Sequence, residues 1–321
     1  ASKPSLLASS SMNLETRNRF IKEEAKRLGF DACGIAKVSS LEKEKSYLEN
    51  YLNRNRHASM HYMENHLEKR LNPALLVDNA KSVISVLYNY YCPIPEDDRP
   101  YKVSMYARGA DYHYVIKSKL QELADAITTE FGMHEFRVFT DSAPVLEKSW
   151  AAKAGLGWIG KNTCLINRNK GSFFFIGELV TTLEATYDEP EEERCGTCTR
   201  CLDACPTGAL TSPGELDAGK CISYLTIEHK SEFTDKTPKD FNKYIFGCDI
   251  CQQVCPWNRF SKAHHEPRFN TSPFINELEK HGITSDNTNS FRQRFKNTAL
   301  ERTGEKNLIR NIGHIDHKVH K

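Results

Sequence analysis

Eight of the eleven cysteines fall between Cys195 and Pro256 in two matching runs. CGTCTRCLDACP sets Cys195, Cys198, Cys201 and Cys205 ahead of Pro206, and CDICQQVCPW sets Cys248, Cys251 and Cys255 ahead of Pro256, with Cys221 alone between them. A C-x2-C-x2-C-x3-C-P run suits a [4Fe–4S] cube: three closely spaced thiolates wrap one cluster, and the cysteine before proline ligates the other. On that logic one cluster takes Cys195, Cys198, Cys201 and Cys255, and the other takes Cys205, Cys221, Cys248 and Cys251. Zinc could use two C-x2-C pairs, but it leaves the third cysteine and the repeated Cys-Pro ending unexplained. A secreted disulfide framework is a poor match for spacing this tight. The chemistry implied is one-electron transfer at low potential.

Composition bounds what surrounds these residues. A chain of 321 residues has room for two domains and a tail. Hydrophobic and charged shares of 39% and 27% describe a soluble, somewhat polar protein. No apolar run reaches the 18 or so residues of a membrane span. The net charge of +2 is too small to announce a nucleic-acid partner, so any such partner must meet a local basic face. Residues 1–11 lack the blocks of a signal peptide and read as a disordered leader, with no twin arginine nearby. Thiolate clusters, and Cys33, Cys92 and Cys164 as ordinary small packing residues, fit a reducing cytoplasm.

The elements that must position the cysteines alternate between helix and strand. Helical spacing runs from Leu14 to Leu28 and stops at Gly29. Strands are predicted over 31–36, 82–91, 135–140 and 172–182, with helices over 41–52, 112–131 and 144–154. This alternation predicts an α/β or α+β sandwich over residues 12–187. His57, His61 and His66 have no cysteine or carboxylate cluster beside them in the sequence, so a packed or solvent-facing helix is favoured over a metal site. The loop GLGWIGKNT, 155–163, lets backbone approach a ligand closely; as a sequence it serves equally well as a tight turn. The acidic stretch DEPEEE, 188–193, marks the boundary of a cluster domain spanning 188–262. The tail, 263–321, carries Arg292, Arg294, Lys296, Arg302, Lys306 and Arg310, either as a solvated helix face or as phosphate contacts for RNA.

With these motifs assembled, the chain resembles the epoxyqueuosine reductases from Met12 to Arg310. The markers are YARGADYH at 106–113, DSAPVLEKSWAAKAGLGWIGKNT at 141–163 and GELVTT at 177–182, together with both cysteine runs and CISYLTIEH at 221–229. The resemblance implies an α+β chain: a nitroreductase-like, corrinoid-binding α/β sandwich followed by a bacterial ferredoxin-like domain with two [4Fe–4S] clusters. It implies cobalamin as cofactor, and reduction of epoxyqueuosine to queuosine at the wobble position of tRNA. It further implies an external low-potential electron donor, no membrane and a monomer. Many family members continue beyond Arg310–Asn311 into a helical-repeat extension, so the tail basics are the candidate tRNA contacts here.

Converting an epoxide to an alkene consumes two electrons and two protons and releases water. Side chains cannot supply those electrons, so the protein's own task is to place an acid near the departing oxygen. Asp141 matches the family's proton donor, and burial is expected to lift its pKa; its residue type also suits a cap for the helix near Pro144. For the corrin pocket the resemblance points to Tyr106, Arg108, Trp158, Gly160, Lys161 and Asn162, with Thr226 and Glu228 from the cluster domain. Lys161 and Arg108 could instead be structural ion-pair partners. The rival readings are a corrinoid-dependent reductive dehalogenase and a non-catalytic electron-transfer or B12-carrier protein.

Overall fold

The computed structural model describes the backbone of residues 6–93, 98–283 and 291–319, with side chains over 13–93, 98–283 and 293–316. At its centre four strands, β1 (Ala32–Lys37), β2 (Ser82–Asn89), β4 (Phe136–Phe139) and β7 (Phe174–Thr181), form an antiparallel sheet in the order β1-β2-β7-β4. Helices α1 (Leu6–Arg27) and α4 (Tyr112–Phe131) cover one face, where Ile21, Leu28, Ile116, Leu120 and Leu123 pack on Ile35, Ile84, Val86 and Leu179. The short α5 (Glu147–Lys153) covers the other, setting Trp150 and Ala151 against Val83, Leu87 and Val180. Both faces are buried, which is why SVISVLYN reads as a near-continuous apolar run rather than an alternating one.

Several expected bounds shift for local reasons. α1 begins at Leu6, so the expected leader is helical from that residue and its first five residues lie outside the description. The helix predicted from Pro144 starts at Glu147, because residues 140–145 are held in turns (Ser142 N–H to Thr140 O at 2.6 Å, Val145 N–H to Ala143 O at 2.8 Å). Helices α2 (Glu42–Asn53) and α3 (Leu67–Leu71) flank the histidine-bearing segment, which is a loop and a 3-10 turn over His61–Met63 rather than one helix.

The second half is folded onto the first. Strand β3 (Lys102–Val103) pairs in parallel with β10 (Tyr244–Phe246). Around that pair Val103, Ile245 and Phe246 share a core with Phe295, Leu300, Leu308 and Ile312 of the tail. Small hairpins β5 (Trp158–Ile159) with β6 (Leu165–Ile166), and β8 (Leu210–Ser212) with β9 (Glu215–Leu216), bracket the first cysteine run. Cys201 and Cys251 lie on the short helices α6 (Arg200–Asp203) and α8 (Ile250–Gln253), Cys221 holds the N-cap position of α7 (Ile222–Ile227), and the other cysteines of the runs flank these helices. The tail comprises α9 (Pro273–His281), α10 (Phe291–Phe295) and α11 (Glu305–Val319). The basic stretch from Phe291 to Arg310 is not one continuous helix face, because Asn297 and Gly304 take positive φ between its helices. His314 and His317 lie on α11, and His320 is outside the described residues. Among the described residues no helix is long and apolar enough to cross a membrane.

One ionisable group sits inside this sheet. Glu178 on β7 is fully buried, accepts the Ser85 hydroxyl at 2.7 Å on Oε2, and has no partner for Oε1. Burial raises its carboxyl well above the ordinary value. A pKa raised by folding contributes stability that is present at acid pH and is lost as pH climbs past about 4.3 toward the folded value. Glu178→Gln, which keeps the shape and the acceptor for Ser85, is therefore expected to match the parent in thermal melts near pH 4.5 and to exceed it near pH 8, both approximate bounds set by the free carboxyl. A parent that remains the more stable of the two at the alkaline end contradicts a neutral carboxyl there.

Candidate functional site

The two cysteine runs interleave in space. One hollow is lined by Cys195, Cys198, Cys201 and Cys255, and a second by Cys205, Cys221, Cys248 and Cys251. These are the two sets that the spacing predicts. All eleven cysteines are free thiols, which removes the disulfide reading. Four thiols around each hollow form a donor set suited to an iron–sulfur cube. Cys164 was expected to be a packing residue, yet it lines the second hollow together with Cys251. Nothing in the spacing of the runs points to it.

The loop after α5 serves these hollows directly. Lys161 donates from Nζ to the carbonyls of Gly196, at 2.5 Å, and Cys198, at 3.1 Å, so its charge secures the first cysteine run. Asn162 is buried, borders both hollows, donates to the Cys251 carbonyl at 3.2 Å and accepts from the Cys164 N–H at 3.2 Å. Trp158 is buried, with its ring edge-on to Trp257 at 5.1 Å. At Gly160 a Cβ would come within 2.4 Å of Ile166 Cδ1, so the missing side chain accommodates the chain's own β6.

The other residues expected around a corrin divide. Tyr106 lines the second hollow and lies edge-on to Tyr112 at 6.1 Å. Arg108 takes the structural role: it is buried, its Nη2 lies 2.5 Å from Glu279 Oε2, and its Nε donates to Thr271. Thr226 is also committed internally, its hydroxyl donating to the Ile222 carbonyl and accepting the Gly247 N–H. Glu228 faces the tail and pairs with Arg302 Nε at 2.7 Å.

Asp141 follows β4 with φ +57° and caps no helix, since Leu146 holds the N-cap position of α5 without a side-chain bond. Its N–H donates to the Glu147 carboxylate. Its Oδ2 accepts the Tyr112 hydroxyl at 2.6 Å and lies 3.4 Å from His113 Nε2. On the far side of that imidazole, His113 Nδ1 meets Asp111 Oδ1 at 2.6 Å. Asp111 is itself the N-cap of α4, accepting the His113 N–H, so one turn of helix positions the whole row. Tyr112 is braced by a stacked Phe175 ring at 4.2 Å.

The charges in this row are pushed apart. Burial opposes a charged His113, but the bonds to Asp111 and Asp141 outweigh it and lift the imidazole to about 9. Burial also acts to raise Asp141, and here the expected outcome is reversed: donors from His113 and Tyr112 hold its carboxyl below the ordinary range. Glu147, half-buried and next to the Asp141 charge, rises to about 8. A raised His113 imidazole therefore lies 3.4 Å from a carboxyl that is held low. The Glu228–Arg302 pair and Tyr62 are electrostatic neighbours of this row, and the Arg302 charge helps to lower Asp141.

The basic tail is largely committed. Arg310 donates to the carbonyls of His229, Ser231 and Leu225, at 2.9, 2.5 and 3.0 Å, and covers the Phe233 ring. Arg294 pairs with Glu277 and Lys306 with Glu232, at 3.2 and 3.6 Å, both at the surface. The side chain of Arg292 lies outside the description.

Comparison with known proteins adds to this geometry. The family model for "4Fe-4S double cluster binding domain" matches residues 194–258, and that for "Epoxyqueuosine reductase QueG, DUF1730" matches residues 70–142. An epoxyqueuosine reductase of Cellulophaga algicola is 51% identical over 93% of this chain and 97% of its own length. One from Leadbetterella byssophila is 52% identical over 92% of this chain and 97% of its own. The structure of epoxyqueuosine reductase from Streptococcus thermophilus superposes with a TM-score of 0.82 at 29% identity, covering 94% of this chain and 81% of that one. A crystal structure of epoxyqueuosine reductase with an epoxyqueuosine-modified tRNA-Tyr stem loop gives a TM-score of 0.79 at 28% identity over 92% of this chain and 81% of that one.

The paired groups at the head of α4 make a measurable statement. A histidine raised to about 9 contributes stability below its unfolded pKa, and that contribution is lost as pH rises through the folded value. NMR of histidine-labelled protein is expected to show His113 titrating near pH 9. In Asp141→Asn its pKa should fall back toward the free value of about 6.5. An unchanged titration in that variant contradicts the pairing of the two groups.

Proposed function

This chain belongs to the epoxyqueuosine reductase family, and from that premise we propose that it reduces epoxyqueuosine to queuosine in the anticodon of tRNA. What carries the reading is the row Asp111–His113–Asp141, at the head of α4 and the end of β4. The relative solved with an epoxyqueuosine-modified tRNA stem loop supports tRNA as substrate. A Bacillus subtilis relative with its aspartate catalytic loop swung out of the active site supports a working role for an aspartate on a movable loop. Asp141 stands between a strand end and a short helix, its N–H donating to Glu147 and its carboxylate accepting from Tyr112, with, among the described residues, no backbone–backbone bond of a strand or helix across it.

The sulfurs of Cys195, Cys198, Cys201 and Cys255 are assigned to one [4Fe–4S] cluster and those of Cys205, Cys221, Cys248 and Cys251 to the other. Each set encloses its own hollow, so the donors fit the group. The second hollow reaches beyond its cysteines to Tyr106, Thr163, Leu216 and Ile222, and this mixed polar and apolar lining suits the edge of a corrin. Cobalamin, when bound, supplies the low-potential metal centre that delivers two electrons to the epoxide. Tyr106, Asn162 and Thr163 are the residues that would hold it. An external donor replenishes the clusters.

The chain's own part is the protons. Asp141 faces the departing oxygen, accepts a proton from the His113 imidazolium, and passes it on as negative charge develops. Asp111 holds His113 in the tautomer and orientation that this requires. Tyr112 keeps Asp141 from rotating away. Overall, the epoxide takes two electrons and two protons and leaves as an alkene and water.

Asp141→Ala is expected to retain iron, sulfide and cobalamin while losing turnover of epoxyqueuosine-containing tRNA by about a hundredfold or more. Turnover of the parent should decline as pH rises through about 9, where the His113 imidazolium is lost. Near-parental conversion by Asp141→Ala removes that residue from the mechanism. Conversion of chlorinated phenols but not of tRNA favours a dehalogenase instead.

A further inference from the structure

A second cluster of ligating side chains lies away from every cysteine. After α2 the chain turns through Asn55 and Ala58, both with positive φ, and reaches His66 in the same conformation. Between these corners His57 and His61 direct ring nitrogens at one and the same carboxylate oxygen. His57 Nε2 is 2.8 Å from Glu64 Oε1, and His61 Nδ1 is 3.0 Å from it. All three candidate donor atoms lie within 4.8 Å of one another. The sequence spacing H-x3-H-x2-E concealed this, because Glu64 joins the histidines only through a 3-10 turn over His61–Met63. That turn brings positions three apart onto one face.

The cluster is held from behind and open in front. His57 is 3% exposed and packs beside the Tyr51 ring at 6.4 Å, whereas His61 is 76% exposed and Glu64 49%. The loop is also fastened to the cysteine-bearing half: the Ser59 N–H donates to the Tyr224 hydroxyl at 3.1 Å, and the two hydroxyls meet at 2.7 Å. We propose that His57, His61 and Glu64 form a binding site for a divalent metal of the zinc class, with its remaining coordination positions open to water. Two imidazoles and one carboxylate are donors that suit zinc and neighbouring first-row metals; calcium and magnesium require oxygen sets. The absence of thiolate separates this site from the iron–sulfur sets.

The position gives the metal a purpose. Tyr62 lies between the two exposed ligands, and its ring sits 5.9 Å from the Arg302 guanidinium, the partner of Glu228. A metal joining residues on either side of Tyr62 fixes that ring against the Arg302–Glu228 pair. Its role is to position the loop, and it takes no part in electron transfer.

The test uses tag-free, iron-loaded protein under anaerobic conditions, equilibrated with Zn2+ and then dialysed, with Co2+ as the optical probe. One zinc per chain beyond the iron is expected, together with visible d–d bands for cobalt and no sulfur-to-cobalt charge-transfer band. His61→Ala and Glu64→Ala, both at exposed positions, should weaken binding by at least about tenfold while leaving the iron–sulfur absorbance unchanged. Zinc should raise the melting temperature of the parent but not of either variant. Absence of bound zinc, retention of zinc by both variants, or a charge-transfer band that reports cysteine ligation would each overturn the site and leave Glu64 as a hydrogen-bond acceptor alone.

Discussion

Each of the two hollows needs a thiol from the opposite end of the cysteine-rich segment. Cys255 must return to the run that begins at Cys195, and Cys205 must cross to Cys248 and Cys251. Neither half can close its own set, so residues 195–205 and 248–255 fold as one unit or not at all. That requirement propagates outward. Asn162 bridges the two sets through the Cys251 carbonyl, and Lys161 draws the Gly196 and Cys198 carbonyls toward the sheet domain. The parallel pair β3 and β10, with the tail packed over it, fixes how the two halves face each other.

The row at the head of α4 separates charge in a way that no single residue type would suggest. The Asp141 carboxyl is held low by its imidazole and phenol neighbours, while that of Glu147 beside it is pushed up. Carboxyls whose environments drive their pKa values in opposite directions are a recurrent arrangement where protons are transferred. A left-handed backbone at Asp141 costs on the order of 1 kcal/mol. The bonds from Tyr112 and His113 and the contact with Glu147 offset it.

Many residues that resemble ligand contacts turn out to shape the protein around the site. Arg108 closes a buried ion pair with Glu279, Thr226 secures the turn at Gly247, and Gly160 makes room for Ile166. Arg310, at the end of the resemblance, ties the tail to three carbonyls of the cysteine-bearing half. A charge on a helix face is indistinguishable in sequence from a charge anchoring that helix, because periodicity records which side a residue is on and not what it meets.

From the sequence alone, the cysteine spacing predicted the two groups of four thiols that the structure gathers around separate hollows, because short loops admit few ways to wrap a cube and the Cys-Pro ending directs the last sulfur away. Apolar periodicity determined the four strands and the long helix from Tyr112 to Phe131, since burial imposes its period on the chain. Only the tertiary structure decided the charges around Asp141: His113, held by Asp111, approaches it from a different element, and pKa follows from such neighbours rather than from residue type. It alone placed Cys164 beside Cys251 and Glu64 between two imidazoles. Those contacts depend on distances across loops, which spacing in the chain does not encode.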